Sequence, residues 1–207
     1  MLIDMHIHTS RYSLCSLIDP YEMVVAAVER GLDGVVITEH NRFWGMGELK
    51  ELRARAGGLL VLGGAEITGL GGGHLLAYGV GERHAGLVVE EGVDEGSFME
   101  KVRALGGVVV SAHPYRYGPG LEAGLAALPP DGVEVKSINV DDAGMEKARA
   151  LAKMCGIFEV AGSDAHTVEY VGAYCTEFYG RIRSEEELVS ALKKGEFRPI
   201  VNRYTDL

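Results

Sequence analysis

Hydrophobic and polar positions along the chain follow two periods in turn. Short apolar runs at Leu2 to His8, Gly34 to Thr38, Leu59 to Glu66, His74 to Val80, Gly107 to Ala112, Gly132 to Lys136 and Phe158 to Gly162 read as strands. Segments of helical period lie between them. Pro20 to Arg30 opens on a proline in its first turn and stops at Gly31, and Gly47 to Ala56 carries the charged pattern of an exposed helix. Ser97 is placed to cap a helix through Leu105, and Leu121 to Leu128 and Ala143 to Met154 follow. Ser184 with Glu187 forms a capping box for a helix ending near Lys194, and Phe197 to Val201 closes the set as a last strand. Such alternation predicts an α/β fold of about six or seven βα units, parallel strands inside and helices outside. No Pro- or Ser-rich linker interrupts it, so one domain over residues 1–207 is expected.

Strand ends carry the chemistry. Asp4, His6 and His8 alternate along the first strand, which predicts one shared face with His8 at the C-terminal end. His40, preceded by Glu39, follows the run Val35 to Thr38, and Glu66 ends the third run. His113 closes Val108 to Ala112, and Asp164 and His166 follow Val160 to Ser163 two residues apart. His74 starts a strand and enters from a crossing segment. Parallel βα folds build their sites at this edge whatever the reaction. Only His84, in the polar stretch Gly81 to Ala85, falls off the pattern and is assigned to the surface. The glycine-rich Gly69 to Gly73 lacks the Lys-Ser/Thr ending of a phosphate loop and reads as a tight turn between strands.

Imidazole nitrogens and carboxylate oxygens suit zinc, manganese or iron. Cys15, Cys155 and Cys175 have no paired spacing, which argues against a disulfide framework or a thiolate zinc site. The ligands outnumber what one ion takes, so two or three divalent ions sharing a carboxylate are expected. A net charge of -10 fits a protein that concentrates cations and disfavours broad attraction to nucleic acid. No apolar run approaches the roughly 18 residues of a membrane span, and the N-terminus lacks a secretory pattern. These features predict no membrane association and a cytoplasmic location.

In sequence order, Asp4-Met-His-Ile-His8, Thr38-Glu-His40, Gly64-Ala-Glu66, Ala112-His-Pro114 and Ser163-Asp-Ala-His166 resemble the motifs of the PHP (polymerase and histidinol phosphatase) phosphoesterase family. The resemblance implies a distorted seven-stranded (βα) barrel with its metal site at the C-terminal strand ends, and phosphoester hydrolysis. It implies that His6, His8, Glu66 and Asp164 hold one metal, that Glu66, His74 and His113 hold a second, and that His40 and His166 belong to a third. Two departures bear on the third position. The loop Thr9 to Ser16 lacks the usual Asp or His, leaving Cys15 or Asp19 as substitutes, and Glu39 stands where the family has Asp.

The expected nucleophile is a hydroxide bridging two ions, since metal binding lowers the pKa of water towards ~7. Arg11, Arg42 and Arg116 lie close in sequence to the proposed ligands as substrate-binding groups, with Arg116 and His166 the catalytic candidates. Tyr12, Tyr115 and Tyr117 interleave with the arginines and could stack on a substrate ring. The expected substrate is a small phosphorylated metabolite, a nucleotide-like phosphoester or a short nucleic-acid end. The same motifs also permit an amide or lactone hydrolase, or a non-catalytic metal-binding regulatory module.

Overall fold

A computed structural model describes residues 1–81, 84, 92–116 and 127–202. Its strands are β1 (Leu2–Ile7), β2 (Gly34–Ile37), β3 (Leu60–Thr68), β4 (His74–Tyr78), β5 (Val108–Ala112), β6 (Gly132–Lys136), β7 (Phe158–Ala161), β8 (Tyr174–Phe178) and β9 (Phe197–Val201). They form one sheet in the order β7-β6-β5-β4-β3-β2-β1-β8-β9. The helices are α1 (Pro20–Glu29), α2 (Met46–Arg55), α3 (Glu95–Ala104), α4 (Asp142–Cys155) and α5 (Glu185–Lys194). The helix expected at Leu121 to Leu128 falls largely outside the described residues. No described helix is long and apolar enough to cross a membrane.

The fold is α/β, but nine strands of mixed direction among the described residues replace the seven parallel ones expected. Pairs β1–β2, β2–β3, β5–β6 and β6–β7 are parallel. β4 runs antiparallel to β3 and β5, because the turn from Gly69 to Gly73, closed by Gly69 N to Gly73 O at 2.8 Å, is too short for a crossover. β8, which the sequence reading missed, pairs antiparallel with both β1 and β9. Its run Tyr174-Cys-Thr-Glu-Phe178 mixes polar and apolar residues, so it lacks the continuous apolar signal of the inner strands.

The two sheet edges curl towards each other and nearly close a barrel. At the seam a side chain replaces the backbone ladder: Thr176 Oγ1 accepts from Ala161 N at 3.0 Å and donates to Ala161 O at 2.9 Å. Inside, Ile3, Met5, Val36, Leu62, Leu76, Val110 and Val160 pack together, and Leu188 and Leu192 of α5 join this inner core. Outside, Val35, Ile37 and Val61 pack against Met23 and Ala27 of α1 and Leu49 and Leu52 of α2. Helix α3 is capped by Asp94, not by Ser97, whose backbone N instead donates to the Asp94 side chain at 2.9 Å.

Candidate metal centre

β1 does not alternate evenly. A register shift between Asp4 and Ile7 puts Met5 in the inner core and Ile7 in the outer one. His6 and His8 stay with the cluster, whereas the buried Asp4 accepts from Ser163 N (2.8 Å), Gly172 N (2.8 Å) and His6 N (3.2 Å). The expectation that Asp4 shares the histidines' face is therefore corrected: its carboxylate ties β1 to the chain around β7 and β8. Burial pushes this carboxyl up to about 6, against those three hydrogen bonds.

Glu66 is the hub. Its Oε1 lies 2.8 Å from His74 Nδ1, 3.0 Å from His113 Nε2 and 3.5 Å from His6 Nε2. Its Oε2 lies 3.0 Å from His40 Nδ1 and 3.2 Å from His8 Nε2. Asp164 Oδ1 approaches the Nε2 atoms of His6 and His8 at 3.3 and 3.2 Å. His166 stacks on His8 with ring centroids 4.4 Å apart, and its Nδ1–H donates to the Asp164 carbonyl at 2.9 Å. The antiparallel β4 brings His74 to this edge at its first residue, paired with Thr68 and Ala112. All eight residues expected as ligands thus gather at one end of the barrel. Ligand atoms of His6, His8, Glu66 and Asp164 lie within 4.8 Å of one another, as do those of His40, Glu66 and His74, and those of His8, His40 and His166.

A shell of further polar groups, barely legible in the sequence, holds these side chains. Glu134 on β6, fully buried, meets His6 Nδ1 at 3.0 Å through Oε1 and accepts from His113 N at 3.0 Å through Oε2. Its only signal was a charge at the centre of an otherwise apolar strand. Asn139 Nδ2 donates to Asp164 Oδ2 at 2.6 Å. Glu39 does not reach the cluster. Its carboxylate accepts from Thr9 N (3.1 Å), Trp44 Nε1 (2.9 Å), Ser13 Oγ (2.5 Å) and the Thr9 hydroxyl.

Backbone strain marks the same edge. Among described non-glycine residues, positive φ occurs at Asn41 (51°), His113 (25°) and Asp164 (55°). Two are candidate ligands and the third follows one, so the strain sits where side chains must be aimed against the strand's preference.

A divalent cation fits this donor set. Glu66 Oε2 and Asp164 Oδ1 are buried and accept no hydrogen bond. The Nε2 atoms of His6 and His8 face each other at 3.0 Å. With His6 Nδ1–H donating to Glu134, and Ser13 Oγ opposite His8 Nδ1 at 3.2 Å, both Nε2 atoms present lone pairs, which a cation between them reconciles. Charge preferences agree. Burial opposes ionisation of Glu66, yet His6, His113 and His40 hold its carboxyl well below the usual range. Burial likewise opposes and His6 and His8 outweigh it at Asp164. Burial disfavours His6 and His8 as cations, but the carboxylates of Asp164, Glu134 and Glu66 draw His6 well up, and Asp164 and Glu66 raise His8.

The expected arginines divide. Arg116 Nη1 stands 3.6 Å from Asp164 Oδ2 beside the cluster. Arg11 is instead paired with Glu48, and Arg42 stacks over the Tyr12 ring at 4.0 Å. Tyr12, Cys15, His40, Asn139, Arg116 and His166 line an open cleft of about 800 Å³ over the cluster. Cys15 belongs to no ligand grouping among the described residues, and Asp19 caps α1 by accepting from Tyr21 N at 2.8 Å. His84 lies away from the cluster, accepting from Gly81 N at 3.1 Å, and Tyr117 lies outside the described residues.

Comparison with known proteins agrees with this architecture. Residues 4–96 match the family model described as PHP domain, and residues 145–197 match the one described as PHP-associated. An uncharacterized protein of Methanocaldococcus jannaschii is 28% identical over 128 residues, 56% of this chain and 68% of that protein. A two-domain protein from Bacteroides vulgatus, described as containing a predicted PHP-like metal-dependent phosphoesterase, superposes with TM-score 0.76 at 18% identity, covering 98% of this chain and 65% of that one. A lesion-specific endonuclease from Pyrococcus furiosus superposes with TM-score 0.66 at 16% identity, over 96% of this chain and 57% of that one. This chain therefore spans less than two thirds of either structural neighbour. Two matches in sequence order, PHP domain over residues 4–96 and PHP-associated over 145–197, with the ligand-bearing motifs gathered at one barrel end, make this chain similar to PHP-family proteins over both parts of its length.

Proposed function

We propose that this chain is a metal-dependent phosphoesterase acting on a small phosphorylated metabolite or nucleotide-like ester. The observation that carries the reading is the gathering of six histidines around Glu66 and Asp164, both with a buried oxygen that accepts no hydrogen bond. His6, His8, Glu66 and Asp164 would hold one ion, and Glu66 with His74, His40 and His113 a second. Ions bound there supply Lewis acidity and an activated water for in-line attack at phosphorus.

The chain's own groups do the rest. Arg116, on the cleft wall beside Asp164, offers guanidinium donors to the non-bridging phosphate oxygens, where negative charge grows. His166 uses Nδ1–H on the Asp164 carbonyl, which leaves Nε2 to hold or deliver a proton at the leaving oxygen. Arg42, stacked over the Tyr12 ring that lines the cleft, adds positive charge nearby. A cleft of about 800 Å³ in a chain of net charge -10 favours a small substrate over an extended polyanion.

The test is a panel of aryl phosphate mono- and diesters, nucleotides and short oligonucleotide ends, assayed with manganese, zinc or iron. Release of phosphate or alcohol that stops with chelator is expected. Inactivity on every phosphoester with turnover of amides or lactones would reassign the reaction, and metal binding without any turnover would leave a binding module.

A further inference from the structure

The three ligand groupings share members: His8 and His40 each occur in two, and Glu66 in two. A carboxylate has two oxygens and can bridge two ions, but a neutral imidazole has one lone pair and serves one. Filling all three groupings at once is therefore impossible. Which grouping goes without is decided by a buried hydroxyl.

We propose that a Glu39–Ser13 relay fixes the tautomer of His8, so that this chain holds two ions bridged by Glu66 and no resident third. The inference rests on the metal reading above. Ser13 has one proton and gives it to Glu39 Oε2 at 2.5 Å. Glu39 is kept as the acceptor by two obligate donors, Thr9 N at 3.1 Å on Oε2 and Trp44 Nε1 at 2.9 Å on Oε1. Ser13 Oγ must then accept from its other neighbours, His40 N and His8 Nδ1, both at 3.2 Å. His8 consequently carries its proton on Nδ1. Its single lone pair is on Nε2, 3.2 Å from both Asp164 Oδ1 and Glu66 Oε2, and serves the first ion. Thr9, Ser13, Glu39 and His8 are all buried, which shields the relay from exchange with water.

His40 is claimed in the same way. Its Nδ1 lies 3.0 Å from Glu66 Oε2, in the grouping completed by His74. The remaining grouping keeps only His166, and neither Cys15 nor Asp19 belongs to it. His166 therefore faces the cleft as a proton-handling group and not as a ligand. The missing loop ligand and the glutamate at position 39 are then one adaptation, since the longer acidic arm places its oxygen on Ser13.

The experiment counts manganese, zinc and iron per molecule in the full chain and in His166→Ala, after saturation and desalting. Two ions in both proteins are expected. Three in the wild type, with one lost in His166→Ala, would overturn the proposal, and so would one or none. Ser13→Ala should weaken metal affinity in chelator competition by roughly 10- to 100-fold, the range for a lost outer hydrogen bond to a ligand, with Ser13→Thr restoring it. Nitrogen-15 imidazole spectra should show His8 protonated on Nδ1 in the wild type and in Ser13→Thr. Unchanged affinity in Ser13→Ala, or a His8 proton on Nε2, overturns the relay. Because no substrate enters these measurements, a failed phosphoester panel would remove the proposed reaction and leave the ion count standing.

Discussion

Gly162 lies so close to His6 that a β carbon at position 162 would sit 2.6 Å from both the Cβ and the N of His6. Backbone cannot yield as a flexible side chain does, so Gly162→Ala must push β7 and the His6 segment apart. We expect a loss of about 1–3 kcal/mol from overpacking. For a chain of this size that is a fall in Tm of roughly 2–12 °C. Thermal melts in chelator would check it, and an unchanged Tm would show that the seam is slack.

Glu134 and His6 form the pairing most easily tested for an outer role. Glu134→Gln can keep its oxygen for His113 N but then turns an NH2 donor towards His6 Nδ1, 3.0 Å away, so the acceptor there is lost. Metal affinity should drop by about 10- to 100-fold while the fold persists. Chelator competition and circular dichroism together separate this outcome from misfolding.

Arg116 is partly exposed and its ion pair with Asp164 is long, at 3.6 Å. Truncation to Ala should cost little stability. If the guanidinium binds phosphate, losing a charge-assisted hydrogen bond of about 1.5–3 kcal/mol should lower kcat/KM by roughly ten- to 150-fold. A panel run with the variant would settle it, since a structural residue would shift Tm and leave kcat/KM near the wild-type value.

Metal addition should stabilise the fold. The cluster joins β1, β3, β4 and β5, so an ion bound there links strands that the unfolded chain does not hold together. At one hundred times its dissociation constant, an ion specific for the native state adds about 2.7 kcal/mol. A rise in Tm of roughly 5–11 °C, reversed by chelator, is the expected readout.

Glu48 gives a pH dependence away from the cluster. Burial would raise its carboxyl, but hydrogen bonds from Tyr12 and Arg11 hold it at about 2. A depressed carboxyl stabilises the fold above its ordinary pKa, and that contribution fades as pH falls towards the folded value. Glu48→Gln should therefore be less stable than the wild type at neutral pH, with the gap closing below about pH 4. A gap of constant size across that range would contradict the assignment.

Much of the candidate site was legible because most of the ligands lie at or near the end of a short apolar run, and strand ends in βα folds converge. His6, His40, Glu66, His113 and Asp164 could be placed at one edge without knowing any pairing. Glu134, Ser13 and Asn139 could not, because a lone polar residue in a strand or loop carries no periodic signal of burial. Arg116 was favoured over Arg11 and Arg42 from its place beside His113, but proximity in sequence says nothing about the Glu48 that pairs with Arg11 or the Tyr12 ring under Arg42.

By itself the sequence determined most of the alternation of strands and helices, the Ser184 cap, the family resemblance and the imidazole and carboxylate donor types, all of which depend on residues near one another in the chain. Tertiary structure decided the direction of β4, the unforeseen β8, the turn of Asp4 towards the seam, and the partner of each ring nitrogen. These depend on contacts between distant segments, such as Glu134 with His6, 128 residues apart, and Ser163 with Asp4, 159 apart. Local propensity cannot encode such pairings, because each depends on which distant segments the fold brings together.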